Sequence, residues 1–130
     1  MVDLRPLNKN DLPFLLEIRN DDSTRYNLKE SLEWFRQNKP KWFIIKVNRV
    51  PVGYIRTSGD EIGCDIHPNF RKKGYAKIAY EFYLQDKNYA SLWVFEDNFA
   101  KNLYKKLGFK ENNNSKLIRS RNYIQMEYKK

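Results

Sequence analysis

The feature of this sequence that most restricts its fold is a double change of apolar period between Glu61 and Phe95. In Glu61-Ile62-Gly63-Cys64-Asp65-Ile66 the apolar residues Ile62, Cys64 and Ile66 alternate, the period-2 pattern of a strand with one apolar face. From Gly74 the spacing becomes helical, with Ala76, Ala79, Tyr80, Tyr83 and Leu84 on one stripe. Residues 90–95 return to strand chemistry as a largely apolar segment, expected to be buried on both faces. Strand, helix and strand in that order imply a right-handed crossover and a locally parallel pair. Upstream the pattern is antiparallel. Residues 42–47 and 50–57 flank a turn at Asn48-Arg49, and Ser58-Gly59-Asp60 turns the chain again into Glu61. Hairpins feeding a crossover make a mixed α/β sheet.

The other segments fit around that sheet. Residues 2–7 read as a first strand, and Asn10 or Asp11 with Pro13 in the first turn opens a helix carrying Leu12, Leu15, Leu16 and Arg19 on one side. A second helix is expected over residues 28–37, with Leu28, Leu32 and Phe35 on its apolar face, ended by Pro40. Asp97 or Asn98 caps a further helix through Lys106, with Phe99, Leu103, Tyr104 and Leu107 facing inward and Gly108 as its stop. Phe109 and residues 123–128 supply the closing strands, and Asn112-Asn113-Asn114-Ser115 reads as a polar surface loop. With 130 residues and neither linker nor repeat, one domain over residues 1–130 is expected.

Composition narrows the chemistry. One cysteine, Cys64, excludes an internal disulfide framework, and with a single histidine, His67, a structural zinc cluster is not expected. Catalysis then has to rest on carboxylates, tyrosines, serines or backbone groups. No apolar stretch approaches the roughly 20 residues of a membrane span, and Met1-Val2-Asp3-Leu4-Arg5 lacks the apolar run of a signal peptide, so a soluble, cytoplasmic protein is expected. The net charge of +9 favours anionic partners. Its cations are grouped: Arg71, Lys72, Lys73 and Lys77 in one cluster, and Lys101, Lys105, Lys106 and Lys110 in another.

Arg71-Lys72-Lys73-Gly74-Tyr75-Ala76 stands between a strand and a helix. Backbone N–H groups at a helix start can hold a pyrophosphate if the turn lets the backbone approach, and the helix dipole adds positive potential. Gly74 permits the approach, the three cations add charge, and Ala76 leaves room. Alone, this is equally the pattern of a lysine-rich turn closing at a helix-start glycine.

The arrangement Arg71-x-x-Gly74-x-Ala76, after a strand ending Ile66-His67-Pro68, resembles the cofactor-binding motif of the GNAT superfamily of acyl-CoA-dependent acyltransferases. Further on, residues 92–109 resemble the strand–helix signature of that superfamily, with Asn98, Ala100, Leu103-Tyr104 and Gly108-Phe109 at its spacing. The resemblance implies a GNAT-like fold: a mixed, mostly antiparallel central sheet with splayed central strands and about four helices. It implies acetyl-CoA as co-substrate, without a metal, and N-acetyl transfer to an amine by direct attack. On that basis the strand around Asp65, Ile66 and His67 would pair its backbone with the pantetheine arm, and Ile66 would act through its amide and carbonyl. Arg71, Lys72, Lys73, Gly74, Tyr75 and Ala76 would hold the pyrophosphate. Asn98 would contact the pantetheine or tie the splayed strands, Lys101 would add charge beside it, and Tyr104 would stand near the thioester sulfur.

Such chemistry needs these groups, because an amine attacking a thioester creates a tetrahedral oxyanion and then expels a thiolate. A tyrosine with its ordinary pKa of about 10 is protonated at neutral pH and suits the acid role. The Ile66 N–H is a candidate for the oxyanion. Glu61, Asp65 and Glu96 are candidate bases. Glu61 and Asp65 have the parity opposite to Ile62, Cys64 and Ile66 and so would face an acceptor cleft. Cys64 reads as a core residue, and His67 has no nucleophile or second metal ligand near it in sequence.

The acceptor is less legible. Residues 15–22 followed by Ser31-Leu32-Glu33-Trp34-Phe35 resemble superfamily members that acetylate amino-sugar nucleotides and others that modify ribosomal-protein N-termini. An amino-sugar nucleotide or another small amine is the reading preferred here, with protein N-terminal acetylation as the alternative. A non-catalytic CoA-binding module is a separate class, distinguished by stabilisation without turnover. Nucleic-acid binding, suggested by the charge and the 15% aromatic content, lacks a recognisable motif and is not expected. A monomer or homodimer, without membrane attachment, is expected.

Overall fold

The computed structural model describes residues 2–19, 41–118 and 120–130. The helix expected over residues 28–37 lies outside the described residues. Strand β1 (Val2–Pro6) leads through a 3-10 turn (Lys9–Asp11) into α1 (Leu12–Arg19). Strands β2 (Lys41–Val47), β3 (Val50–Ser58) and β4 (Glu61–Ile66) follow. Helix α2 (Tyr75–Leu84) crosses to β5 (Tyr89–Phe95), and α3 (Lys101–Lys106) precedes the hairpin of β6 (Phe109–Ile118) and β7 (Arg121–Lys129). The strands form one sheet in the order β1-β2-β3-β4-β5-β7-β6, antiparallel everywhere except between β4 and β5. That is the mixed sheet and parallel crossover the sequence predicts.

Turn chemistry sets the registers. Asn48 and Arg49 both have positive φ (50° and 71°), the two-residue turn whose twist suits a hairpin. The next turn pairs Ser58 with Glu61 around Gly59, so Tyr54 stands opposite Asp65 and Arg56 opposite Gly63. Alternation then sorts the two faces. Ile45, Ile55 and Ile62, with partly buried Cys64 and Ile66, face α2, where Ala79, Tyr80 and Leu84 are buried. On the other face, Trp42, Ile44 and Tyr54 pack against Leu15 and Ile18 of α1. Burying each such side chain contributes roughly 1.5–3 kcal/mol, so both faces of the β2–β3 pair are anchored. Among the described residues no helix is long and apolar enough to cross a membrane.

Three expectations are corrected. The run over residues 90–95 is not buried on both faces: Ala90, Leu92 and Val94 are core, whereas Trp93 and Phe95 on the opposite face are only partly covered. Phe99 does not face inward but is 85% exposed, because α3 begins two residues after it and its stripe starts at Leu103. Asn112-Asn113-Asn114-Ser115 is not a loop. It lies within β6 as a bulge, with Asn113 at φ 70° and the register shifting between Glu111 and Ser115. The Asn112 side-chain amide replaces lost ladder bonds by donating to Gln125 and Glu127.

The β4–β5 pair positions the site. Only Glu61 is in register with β5, opposite Ser91, whose N–H donates to the Asp60 carbonyl at 2.8 Å. Beyond that point the two strands diverge. The His67 N–H donates to Val52 on the β3 side, and Asp60 accepts on the β5 side. Alternation therefore turns the backbone groups of Ile62, Cys64 and Ile66 toward the widening gap.

Candidate active site

The segment between β4 and α2 is built around two left-handed residues. A 3-10 turn (Pro68–Phe70) is capped by His67, whose Nδ1 accepts from the Asn69 N–H at 3.1 Å. Lys72 (φ 63°) and Gly74 (φ 80°) then fold the backbone back so that Gly74 becomes the N-cap of α2. Its glycine supplies no capping side chain, and the first turn of α2 presents the amides of Gly74, Tyr75, Ala76 and Lys77, all of which border one cavity. Arg71 reaches back, its Nε donating to the Ile66 carbonyl at 2.9 Å, and so ties this turn to the end of β4. Lys72 carries a Cβ in a conformation that costs an L-residue roughly 1–2 kcal/mol. Lys72→Gly is therefore expected to raise stability by up to about 1 kcal/mol after the extra entropy of an unfolded glycine; a lower denaturant midpoint than the parent's would contradict this.

The cavity beside these amides has a volume of about 770 Å³ and extends from Arg71 and Lys72 to Tyr104. Its far wall comes from the turn before α3, where the Asn98 side-chain carbonyl accepts from the Ala100 N–H at 2.8 Å. A second cavity, of about 320 Å³, occupies the gap between β4 and β5 and reaches the opposite face, among Arg56, Trp93 and Phe95. Cys64, Asp65, Asn98 and Tyr104 border both. The splay thus joins two chambers, one from each face of the sheet.

Of the residues singled out in the sequence, the structure brings Asp65, Ile66, Arg71, Lys72 and Gly74 to the first cavity, together with Tyr75, Ala76, Asn98 and Tyr104. Lys73 is exposed beside the turn and is not among its walls. His67 turns away, stacked on Phe14 with ring centroids 5.6 Å apart and its Nε2 3.1 Å from Glu17. Lys101 lies 4.0 Å from Glu111 on β6. Glu61 stands at the paired end of β4, outside both cavities, and Glu96 accepts from the Asn122 side-chain amide at 2.7 Å. Asp65 is held from beneath by the buried Tyr54 hydroxyl, which donates to Oδ2 at 2.5 Å.

The profile of the acetyltransferase (GNAT) family matches residues 4–109. The chain belongs to that family. As a GNAT acetyltransferase it is an acyltransferase, and solved structures share its fold. A GNAT-family acetyltransferase from Bacillus cereus superposes with a TM-score of 0.78 at 16% identity, covering 100% of this chain and 98% of that one. The ribosomal-protein-S18-alanine N-acetyltransferase of Escherichia coli gives 0.74 at 18% identity, over 99% and 94%. AAC(6')-Ib, solved with paromomycin and acetyl-CoA, gives 0.74 at 17% identity, over 99% and 93%. No curated protein sequence matches.

In this GNAT domain the shared wall has its own electrostatics. Burial pushes the Tyr104 phenol up to about 12, with Cys64 and Asp65 acting in the same direction and Tyr80 and Arg56 against it. The Cys64 thiol is pushed up further, chiefly by burial. At pH 8 it should be alkylated at least tenfold more slowly than in the unfolded chain, since one pKa unit is a tenfold loss of thiolate; equal rates would show that Cys64 is not enclosed.

Sequence reasoning missed the second cavity's walls: Arg56, Trp93, Phe95, Arg121 and Tyr123. The signal for Arg56 was present in the hairpin register, which sets it opposite Gly63 and beside Tyr54 on the face of Asp65. The others depend on β7 pairing with β5, a contact between segments distant in sequence, with Tyr123 opposite Phe95.

Proposed function

We propose that this GNAT-family chain moves the acetyl group of acetyl-CoA directly to the primary amine of a small acceptor in a ternary complex. The observation that carries the reading is the meeting of two chambers, from opposite faces of the sheet, at Asp65 and Tyr104. The larger chamber fits the donor: four successive helix-start amides and the cations Arg71 and Lys72 suit a pyrophosphate. The unpaired edge of β4 offers the Cys64 backbone groups to an extended pantetheine arm. AAC(6')-Ib was solved with acetyl-CoA bound, which is in keeping with that donor.

Each residue then has a distinct task. Gly74, Tyr75, Ala76 and Lys77 bind phosphate through backbone N–H groups, while Lys72 and Arg71 add charge. The Ile66 N–H, on the gap side of β4, serves the carbonyl oxygen as negative charge develops there. Asp65, oriented by Tyr54, takes the proton that the amine nitrogen must lose, through water; the role falls to it rather than Glu61 because Asp65 borders both chambers. Tyr104 gives its hydroxyl proton to the departing sulfur as the carbon–sulfur bond breaks and the carbon–nitrogen bond forms. A phenol held well above its ordinary pKa stays protonated throughout the neutral range, as a general acid must.

The test is release of free CoA thiol from acetyl-CoA in the presence of a panel of small primary amines. Amine-dependent release with at least one member is expected. Thermal stabilisation by acetyl-CoA with no release across the panel would overturn the catalytic reading in favour of a CoA-binding module.

A further inference from the structure

From the second chamber we infer that the acceptor is a small primary amine carrying a carboxylate or an equivalent oxyanion a few bonds from its nitrogen, as amino acids do. The inference rests on the transferase reading for the amine end and adds the recognition of the other end. Arg56 lies on β3 opposite Gly63, and its guanidinium covers the glycine so closely that a Cβ there would stand 2.8 Å from Cζ, Nε and one terminal nitrogen. The side chain is thereby laid flat in the wall of the 320 Å³ chamber, on the same face of the sheet as Asp65.

The second cation is placed by a different contact. Arg121 rests on the Phe95 ring, 3.5 Å from its centroid, and is steered by Asp97 at 3.0 Å. Trp93, Phe95 and Tyr123 supply apolar wall to the same chamber. Among the described residues Asp65 is the only carboxylate bordering the chamber, and it stands at the junction beside Tyr104, where the reacting nitrogen belongs. The chamber therefore sets a carboxylate that suits an amine near cations that suit an anion. A planar guanidinium fixed over a glycine matches a carboxylate's two oxygens better than a flexible lysine would.

Charge and size both favour such an acceptor. A polycationic amine would set positive charge against Arg56, and the volume is at the lower end of small-molecule sites. The positive charge of Arg56 also acts on Tyr104 and Cys64, opposing the rise of both their pKa values, which places it within electrostatic reach of the junction.

The experiment compares matched ligands that differ only in the carboxylate: L-phenylalanine with phenethylamine, and L-methionine with 3-(methylthio)propylamine. Binding is measured by calorimetry to the full chain saturated with CoA, so the readout does not need turnover. The acid-bearing member should bind at least tenfold more tightly, about 1.4 kcal/mol, and Arg56→Gln should remove that preference while acetyl-CoA affinity and melting temperature stay near the parent's. Arg56→Lys should retain part of it, and the exposed Arg121→Gln should weaken it in a background where folding is not at stake. Equal or tighter binding of the amines lacking carboxylate, no binding of either acid, or a preference that survives both Arg56→Gln and Arg121→Gln would overturn the inference. Its failure is separable from that of the transferase reading. Loss of the preference with thiol release intact removes only the anionic acceptor; the preference without any thiol release removes only the transfer.

Discussion

Tyr104→Phe is expected to lower kcat for acetyl transfer by roughly 10²–10⁴-fold and to leave acetyl-CoA affinity nearly unchanged. The ring packs edge-on against Tyr80 and Phe109, with centroids 5.7 and 6.1 Å away, and phenylalanine preserves both contacts. Only the hydroxyl is lost, so a structural role would change the melting temperature and not the rate. The pH dependence supplies a second readout. Because burial raises the phenol to about 12, the folded chain holds this proton through the alkaline range in which an ordinary tyrosine ionises. The parent should therefore show no loss of acid catalysis below about pH 10. The same shift makes the fold less stable as pH rises from about 10 toward 12, where the unfolded tyrosine has released a proton that the folded one still binds. Unchanged kcat in Tyr104→Phe would remove the residue from the mechanism.

Gly53→Ala should be the most damaging single-methyl change near the site. A Cβ at Gly53 would lie 2.5 Å from the Asp65 carbonyl oxygen and 2.8 Å from the Ile66 Cδ1, and the first of these contacts is with backbone. Gly53 and Ile66 are in register across the β3–β4 pair, so β4 cannot move aside without breaking its ladder. Overpacking of this kind costs about 1–3 kcal/mol, enough to lower the melting temperature by several degrees. It would also displace the strand segment that carries Asp65 and the Ile66 amide. Loss of both stability and acetyl-CoA affinity is expected. A variant with parental stability and affinity would mean that the β3–β4 spacing does not control the site.

Much of this was legible in the sequence because the signals are local. Turn residues at Asn48-Arg49 and Ser58-Gly59-Asp60 set both hairpins, and alternation over Ile62, Cys64 and Ile66 identified the face that α2 covers. Gly74 and its cations marked the helix start that borders the larger chamber. The errors have a common origin in tertiary context. Phe99 looks like a core residue by spacing, yet the helix begins after it. The asparagines of residues 112–114 look like a loop, yet β7 holds them in a strand through side-chain bonds to Gln125 and Glu127. His67 and Lys101, placed by the resemblance, lie near Glu17, Phe14 and Glu111, partners that no sequence pattern predicts. Parity placed Glu61 and Asp65 together on one face. Only the splay separates them, because it opens the strand at Asp65 and keeps it paired at Glu61.

The splay between β4 and β5 is where the donor has to lie. A crystal structure of the chain with acetyl-CoA would show whether the two strands, already parted beyond Glu61 and Ser91, hold the donor between them. The pyrophosphate is expected against the amides of residues 74–77, the pantetheine arm along Cys64 and Ile66, and the sulfur within hydrogen-bonding reach of the Tyr104 hydroxyl. Acetyl-CoA bound elsewhere, or its thioester remote from Tyr104 with the gap between β4 and β5 closed, would contradict this placement.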